Sequence, residues 1–363
     1  MQPNRFTLSR AVIALLLVTF SSRFCAGQTS GVIEFSAYGK IKKGILLVDL
    51  AHELIILGRD GWIHSIDPRS PNSNWQRIEE EVFAAAPAAE IRNQLRSEFG
   101  PEYEVLSTKN FLVVQPRGRG DRWPKLFEQS HRSFISYMTK RGVKIRSGSF
   151  PMVAIVFPDE SGMRQEFERL DIEVGRVAGL YSVNTNRVMT HDATRTSSVM
   201  ATVRHEAAHQ SAFNSGAHSR INDTPRWITE GIGQMFEPAA MTDPRGATQL
   251  ADRVNQESLQ HLRKKVLTVD SGRFVQTAIT LIGDDMMFKD EKQINEAYAV
   301  AWALMFYLAE RQPKAFSQLL NETAGRRPFQ AYQRRDRIAD FERIVGMDTF
   351  EFSRKTLRYL ETL

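Results

Sequence analysis

The sequence predicts an α+β fold: a small antiparallel β region, then a mixed sheet, then a mostly helical second half. Residues 32 to 66 alternate short β-rich runs with turns, and the Asp-Gly pair at positions 60 and 61 is typical of a hairpin. Past residue 245 almost every segment has helical periodicity, which is strongest from Glu296 to Glu310. Strands in the first half and helices in the second are the pattern of α+β proteins.

The first hundred residues are predicted to form a small sheet followed by a helix. The β-rich runs are Val32 to Ser36, Gly44 to Leu50, Glu53 to Leu57 and Trp62 to Ile66. A polar, turn-rich joint separates them from residues 75 to 99, where apolar residues at helical spacing indicate a helix interrupted near Pro87.

The middle of the chain mixes strands and helices. Strands are predicted at Tyr103 to Gln115 with a break at Thr108 to Asn110, at Val153 to Phe157, and in a hairpin of Gly179 to Val183 with Arg187 to Thr190. Helices are predicted at Trp123 to Lys140 and at Gly162 to Ile172. We therefore expect an N-terminal β-rich region with a helix at 28–99. The main domain follows at 100–363, β-rich over 100–195 and helical over 196–363.

The first 27 residues have the pattern of a cleavable secretory signal peptide. Arg5 and Arg10 precede an apolar run from Ala11 to Phe20, and the segment ends in the small residues Cys25-Ala26-Gly27. We therefore expect export to the periplasm or the extracellular space. The single cysteine would leave with this segment, so the mature chain would have no disulfide bond.

Charge and hydropathy limit the partners that the mature chain is expected to have. Loss of the three arginines of the leader leaves 45 basic side chains against 42 acidic ones, a balance that gives no reason to expect nucleic-acid binding. No later run is long and apolar enough for a membrane span, so we expect no stable membrane insertion after cleavage. The oligomeric state stays open.

One short segment and one later residue contain the candidate metal ligands and the candidate catalytic base. Residues 205 to 210 are His-Glu-Ala-Ala-His-Gln, and Glu230 follows in the phrase Pro225-Arg-Trp-Ile-Thr-Glu-Gly231. On a helix, positions i and i+4 share a face, so His205 and His209 can direct both rings at one metal ion. A catalytic zinc takes three protein ligands and one water, which Glu230 would complete. Glu206 is then free to act as general base.

The context makes this motif more specific than its letters alone. With 8 histidines in 363 residues, a random HExxH is expected in about one such chain in a hundred. Thr196 or Ser197 can cap a helix that Asn214 and Gly216 end, and Thr224 followed by a proline is a second helix start. Both ligand-bearing segments are therefore predicted to be helices, and a metal-free surface helix is the less favoured interpretation.

HEAAHQ followed by PRWITEG resembles the gluzincin zinc metallopeptidases, specifically the peptidase MA-like group found in uncharacterised secreted bacterial proteins. The resemblance implies a zincin-like domain with an HExxH active-site helix. It implies one Zn²⁺ per chain held by His205, His209 and Glu230, with Glu206 as the base. In this resemblance the hairpin at 179–190 would flank the cleft and pair with an extended peptide. The metzincin pattern does not fit, because Ala212 and Ser215 occupy the positions of its glycine and third histidine.

Other side chains are weaker candidates. Tyr298 is our candidate for stabilising the oxyanion, because related zinc peptidases use a Tyr or His there, although an ordinary core stripe explains it as well. His218, in the loop between the two metal helices, is either a proton donor or, more simply, solvated. Arg226 is either a contact for a substrate carboxylate or a surface group.

Groups that orient the metal-bound histidines are also expected, because such rings usually donate their other N–H to an acceptor. Asn222 and Asp223 are candidates near the start of the second helix. Gln234 stands where some relatives place an orienting carboxylate.

The resulting hypothesis is an exported zinc-dependent peptidase that hydrolyses peptide or protein substrates. Two alternatives stay open. One is a catalytically inactive envelope module that kept the zincin fold, and the other is a zinc amidase acting on cell-wall peptides. The role of the N-terminal β region also stays open among a pro-segment, a substrate-binding module and a packing partner.

Overall fold

The α+β prediction is confirmed by a computed structural model, which describes residues 31–71, 73–78, 80–172, 177–192, 197–242, 249–267 and 271–363. It contains a five-stranded antiparallel sheet, a five-stranded mixed sheet and a helical second half. The expected signal peptide at residues 1–27 lies outside the described residues. In the described parts of the chain, no helix combines the length and the apolar character that crossing a bilayer requires.

The N-terminal sheet is antiparallel throughout and has the strand order β4-β3-β2-β1-β5. Its strands are β1 (Val32–Ala37), β2 (Lys40–Leu50), β3 (Glu53–Gly58), β4 (Ile63–Ile66) and β5 (Trp75–Ile78). The Asp-Gly pair at 60 and 61 lies in the turn between β3 and β4, as predicted, and Gly61 has a positive φ of 84°.

The helix predicted over residues 75 to 99 is wrong in its first half. Trp75–Ile78 is the strand β5, which pairs antiparallel with Val32 to Phe35, and only α1 (Ala88–Phe99) is helical. Pro87 is the N-cap of α1, and Val82 lies on the surface between the two elements with 88% of its area exposed. A four-residue run is too short for its periodicity to be diagnostic, and pairing with a distant strand decides its conformation.

The second sheet is mixed and is built from the middle of the chain. Its strands are β6 (Tyr103–Ser107), β7 (Phe111–Pro116), β8 (Met152–Phe157), β9 (Gly179–Ser182) and β10 (Arg187–His191). Its strand order is β6-β7-β8-β10-β9. The β7–β8 and β8–β10 pairs are parallel and the two outer pairs are antiparallel, which places β9 at an edge.

Alternating residues of this sheet face two separate cores. On one face, α1 and α3 (Glu160–Arg169) pack through Leu95 and Phe167. On the other face, α2 (Arg122–Lys140) and α4 (Ser197–Asn214) pack through Phe127 and Val203. The helix that carries HEAAHQ is therefore supported directly by the sheet.

The second half is a helical cluster around α9 (Ile294–Arg311), which corresponds to the segment with the strongest predicted helicity. Thirteen of the 18 residues of α9 are buried, most of them in the largest hydrophobic core that the described residues form. The surrounding helices are α5 (Arg226–Met235), α6 (Leu250–Arg253), α7 (Gln256–His261), α8 (Ser271–Gly283), α10 (Pro313–Ala324), α11 (Arg334–Val345) and α12 (Thr349–Leu360).

Candidate metal centre

The helix α4 is buried between the mixed sheet and the helical cluster. Val203 and Ala207 face the sheet core, whereas Ala208 and Ala212 belong to the helical core. The small alanines of HEAAHQSA allow both layers to approach the helix closely. The remaining face presents His205 and His209, which are 93% and 92% buried.

The second helix begins one residue later than its start signal predicts. Pro225 is the N-cap of α5, and Thr224 contributes no capping side chain. The first N–H of the helix, that of Arg226, instead donates to Oδ1 of Asp285 over 2.9 Å. A carboxylate at this end also suits the helix dipole, so a distant residue replaces the local cap.

Three predicted ligands meet at one point. Nε2 of His205 and Nε2 of His209 lie 2.9 Å apart, and Oε2 of Glu230 lies 3.3 Å from the first and 3.4 Å from the second. All three ligand atoms lie within 4.8 Å of one another, so the group could hold a metal ion. This arrangement brings together two sequence segments that are 25 residues apart.

Two glycines of α5 make this approach possible, and sequence reasoning missed both. A Cβ at Gly233 would lie only 2.5 Å from Nε2 of His205. A Cβ at Gly231 would lie 2.5 Å from the carbonyl oxygen of Ala301 on α9. The phrase Glu-Gly-Ile-Gly therefore combines a ligand with two close helix contacts that no side chain would fit.

Glu237 orients the first histidine and was also missed. The Nδ1–H of His205 donates to Oε1 of Glu237 over 2.9 Å, which leaves Nε2 facing the centre. Gln234 and Asn255 donate to the same carboxylate over 2.8 Å each. Glu237 lies beyond the end of α5 at Met235, so helical spacing does not indicate its position.

Glu206 is held on the opposite side by the sheet. The backbone N–H of Tyr181 in β9 donates to its Oε2 over 2.7 Å. Burial raises the pKa of Glu206, although the charges of the two histidines and this hydrogen bond act in the other direction. The carboxyl therefore has an environment in which taking up a proton costs less than it does in water.

The centre concentrates negative charge, since Glu206, Glu230 and Glu237 surround two imidazoles. Burial alone would raise the pKa of Glu230, but its hydrogen bonds to the histidines bring that pKa well below its ordinary value. Burial alone would lower the pKa of His205, but Glu230 and Glu237 raise it well above. The pocket thus stabilises positive charge, as a site for a divalent cation must.

Tyr298 and Arg226 both reach the centre. The ring of Tyr298 meets that of His205 edge to face at 6.2 Å between centroids, and burial with the charge of Glu230 raises the pKa of its hydroxyl. Nη2 of Arg226 lies 3.2 Å from Oε1 of Glu230, so it contacts the candidate ligand. Tyr298 also lines a cavity of about 320 Å³ together with Thr202, Glu237, Glu257 and other residues of α4, α5, α7 and α9.

The expectation that His218 is solvated is wrong. It is 99% buried, packs against Phe213 at 5.4 Å between ring centroids, and burial lowers its pKa to about 3. Its backbone N–H donates to the carbonyl of Ala212 and so ends α4. Within the described part of the chain neither of its ring nitrogens has a hydrogen-bond partner.

Asn222 and Asp223 do not orient the histidines as expected. The amide of Asn222 donates to the carbonyls of Ala324 and Arg326, each over 2.8 Å. Asp223 accepts from the backbone N–H of Tyr332 over 3.2 Å. Both residues tie the loop between the metal helices to the C-terminal helices, and Glu237 performs the orienting role instead.

Comparison with known proteins adds one match. A family model described as a protein of unknown function (DUF1570) matches residues 199–330, which include α5, α9 and all but the first two residues of α4. The matched stretch therefore contains the three converging ligands, together with Glu206, Glu237 and Tyr298. A search of curated proteins returned no significant match.

Proposed function

We propose that this chain is an exported, zinc-dependent peptidase of the gluzincin type. The observation that carries the proposal is the convergence of His205, His209 and Glu230 on one point, with Glu206 beside them. That combination supplies three ligands and a separate carboxylate base, which is the minimum set for metal-assisted hydrolysis. The leader pattern at residues 1–27 supports export.

The donor set favours zinc over calcium and magnesium. Two imidazoles and one carboxylate suit zinc, whereas calcium and magnesium prefer oxygen ligands. Zinc ligand bonds of about 2.0–2.1 Å in a tetrahedron imply separations of about 3.3–3.4 Å between ligand atoms. The distances from Glu230 to the two histidines, 3.3 and 3.4 Å, match that value, whereas the 2.9 Å between the two Nε2 atoms is shorter, so the two rings would have to separate slightly around an ion.

A bound Zn²⁺ supplies Lewis-acid chemistry, since it lowers the pKa of water to about 7 and polarises a carbonyl group. In the proposed mechanism Glu206 accepts the proton of the attacking water and returns it to the departing amine nitrogen as the C–N bond breaks. Tyr298 is the candidate donor to the developing oxyanion.

The edge strand β9 offers a place for an extended substrate. The strand register pairs Tyr181 with Val188, yet the N–H of Tyr181 donates to Glu206 and not to β10. The backbone groups of Tyr181 therefore face away from β10. Because alternate residues of an antiparallel strand face the same way, those of Gly179 face away from β10 too. An extended peptide added there would run beside the ligands and gain main-chain hydrogen bonds. The cavity beside Tyr298 has room for one substrate side chain.

Metal analysis of the purified protein and of two variants tests the proposal. We expect one zinc per chain, loss of zinc in Glu230→Ala, and retained zinc without peptide hydrolysis in Glu206→Gln. Glu257→Gln changes an exposed carboxylate on the rim of the cavity that is not one of the proposed ligands, and this control should keep zinc.

The other outcomes separate the alternatives. Absence of bound metal after zinc loading would contradict the proposed centre. Bound zinc with no hydrolysis of a peptide library or of cell-wall peptides would favour the inactive envelope module. Hydrolysis of cell-wall peptides alone would assign the amidase.

A further inference from the structure

A single arginine in the loop between the two metal helices connects three segments of the chain. Nε of Arg220 donates to the carbonyl of Val183 over 2.8 Å, and Nη2 donates to that of Asn184 over 3.0 Å. Nη1 donates to the carbonyl of Gly61 over 2.8 Å. The first two carbonyls belong to the β9–β10 turn, and the third belongs to the β3–β4 turn of the N-terminal sheet.

Because Arg220 is buried, its hydrogen bonds to these three carbonyls matter for how the segments are held together. Arg220 is largely buried, and burial lowers its pKa, partly offset by the nearby Asp60. A planar guanidinium can donate to several carbonyls at fixed angles, which a lysine ammonium cannot reproduce. A buried charge that loses its acceptors is costly, so the three segments are held together rather than merely adjacent.

The N-terminal sheet also contacts the β9–β10 turn independently of Arg220. The backbone N–H of Ile63 donates to the carbonyl of Asn184 over 2.8 Å. The guanidinium of Arg187, at the start of β10, lies 4.7 Å from the ring centroid of Trp62. Arg187 is fixed on its other side by Glu98, with two hydrogen bonds of 2.8 and 2.9 Å. The β9–β10 turn is therefore held by contacts on two sides.

A short stretch of chain connects these contacts to the candidate metal centre. Val183 directly follows β9, and Tyr181, two residues earlier, holds Glu206 through its N–H. We propose that the N-terminal sheet is a permanent brace of the substrate-binding edge, that Arg220 is its positioning residue, and that the sheet is not a removable pro-segment. The consequence for catalysis rests on the proposed function, whereas the brace itself does not.

Hydrogen exchange tests the brace without any assay of activity. In Arg220→Met we expect amides of residues 179–184 to exchange about 10- to 100-fold faster, the effect of losing one or two charge-assisted hydrogen bonds. Arg220→Lys should show a smaller increase. Amides inside α9 should be unchanged in both variants, which would show that the fold is intact.

Arg59→Met is the matched control. Arg59 joins the same sheet to the carbonyl of Ala84 and to Glu90, away from the β9–β10 turn. This variant should leave exchange at 179–184 unchanged. Equal exchange in wild type and Arg220→Met would overturn the proposal. If the chain is a peptidase, Arg220→Met should also raise KM more than it lowers kcat while zinc content stays at wild-type level.

Cleavage of the full chain distinguishes a brace from a pro-segment. A protease site introduced at the exposed Val82 would separate the N-terminal sheet from α1. We expect both fragments to co-elute after cleavage, with exchange at 179–184 unchanged. Dissociation of the N-terminal fragment, above all with a gain of hydrolysis, would identify a pro-segment and contradict the brace.

Discussion

The backbone N–H of Tyr181 donates a 2.7 Å hydrogen bond to Oε2 of Glu206, so the proposed base is tied to the edge strand on which we expect the substrate to lie. In Glu206→Asp the shorter side chain cannot both keep this bond and reach the water. We expect kcat to fall by about 10²–10⁴, the range of general acid–base catalysis, with zinc content unchanged. Steady-state kinetics beside metal analysis provides the measurement. Wild-type kcat in this variant would remove Glu206 from the mechanism.

Glu237 should affect how tightly the protein binds the metal, although it is not one of the three proposed ligands. Its carboxylate accepts from Nδ1 of His205 over 2.9 Å and keeps Nε2 directed at the point where the three proposed ligands meet. Substitution of such a partner typically costs about 10- to 100-fold in metal affinity, so Glu237→Gln should bind zinc that much more weakly. Competition with a chelator of known affinity measures this. The same loss in the control Glu257→Gln would show that charge, and not orientation, is responsible.

Gly233 should tolerate no side chain. A methyl group there would lie 2.5 Å from Nε2 of His205, so the ring must rotate away from Glu230 or α5 must shift. We expect Gly233→Ala to lose zinc and to be less stable by about 1–3 kcal/mol, as for an overpacked core. The control Gly162→Ala, in α3, meets only ordinary contacts of 3.6 Å or more. That control should retain zinc, and zinc retention by both variants would contradict the close approach.

A substitution of Tyr298 distinguishes a catalytic role of this residue from a packing role. Its ring packs on His205 at 6.2 Å, so Tyr298→Phe keeps the packing and removes only the hydroxyl. If the hydroxyl stabilises the oxyanion, kcat should fall by about 10²–10³ with little change in KM or zinc content. An unchanged kcat would make Tyr298 an ordinary core residue. Circular dichroism of both proteins checks that the fold is the same.

Local spacing accounts for what could be predicted from the sequence. His205 and His209 share a helix face because they are four residues apart, and the strands at 103–116 follow from alternation with a turn between them. Glu237 could not be found in this way, because it lies beyond the end of α5 at Met235, where helical spacing no longer applies.

Contacts between distant segments account for the rest. Trp75–Ile78 is a strand because β1, some forty residues earlier, pairs with it, and nothing in its own four residues indicates that. Asp285 caps α5 from 59 residues away. The bond from Tyr181 to Glu206 uses a backbone N–H, which every residue except proline has, so no side chain marks it in the sequence.

His131 should make stability fall at mildly acidic pH. Its Nδ1 lies 3.1 Å from Oγ of Ser211, a contact that joins α2 to α4, and burial lowers its pKa from 6.5 to about 4 despite the opposing charge of Glu128. Between those values the unfolded chain takes up a proton that the folded protein does not. The free energy of unfolding should therefore fall as pH drops from about 6.5 towards 4, by at most about 1.4 kcal/mol per unit from this residue. His131→Gln has no titratable group at this position. Its free energy of unfolding, measured by urea titration at several pH values, should therefore depend less on pH across this window. The control His52→Gln changes an exposed histidine and should match wild type, and an unchanged slope in His131→Gln would show that this residue does not set the acid sensitivity.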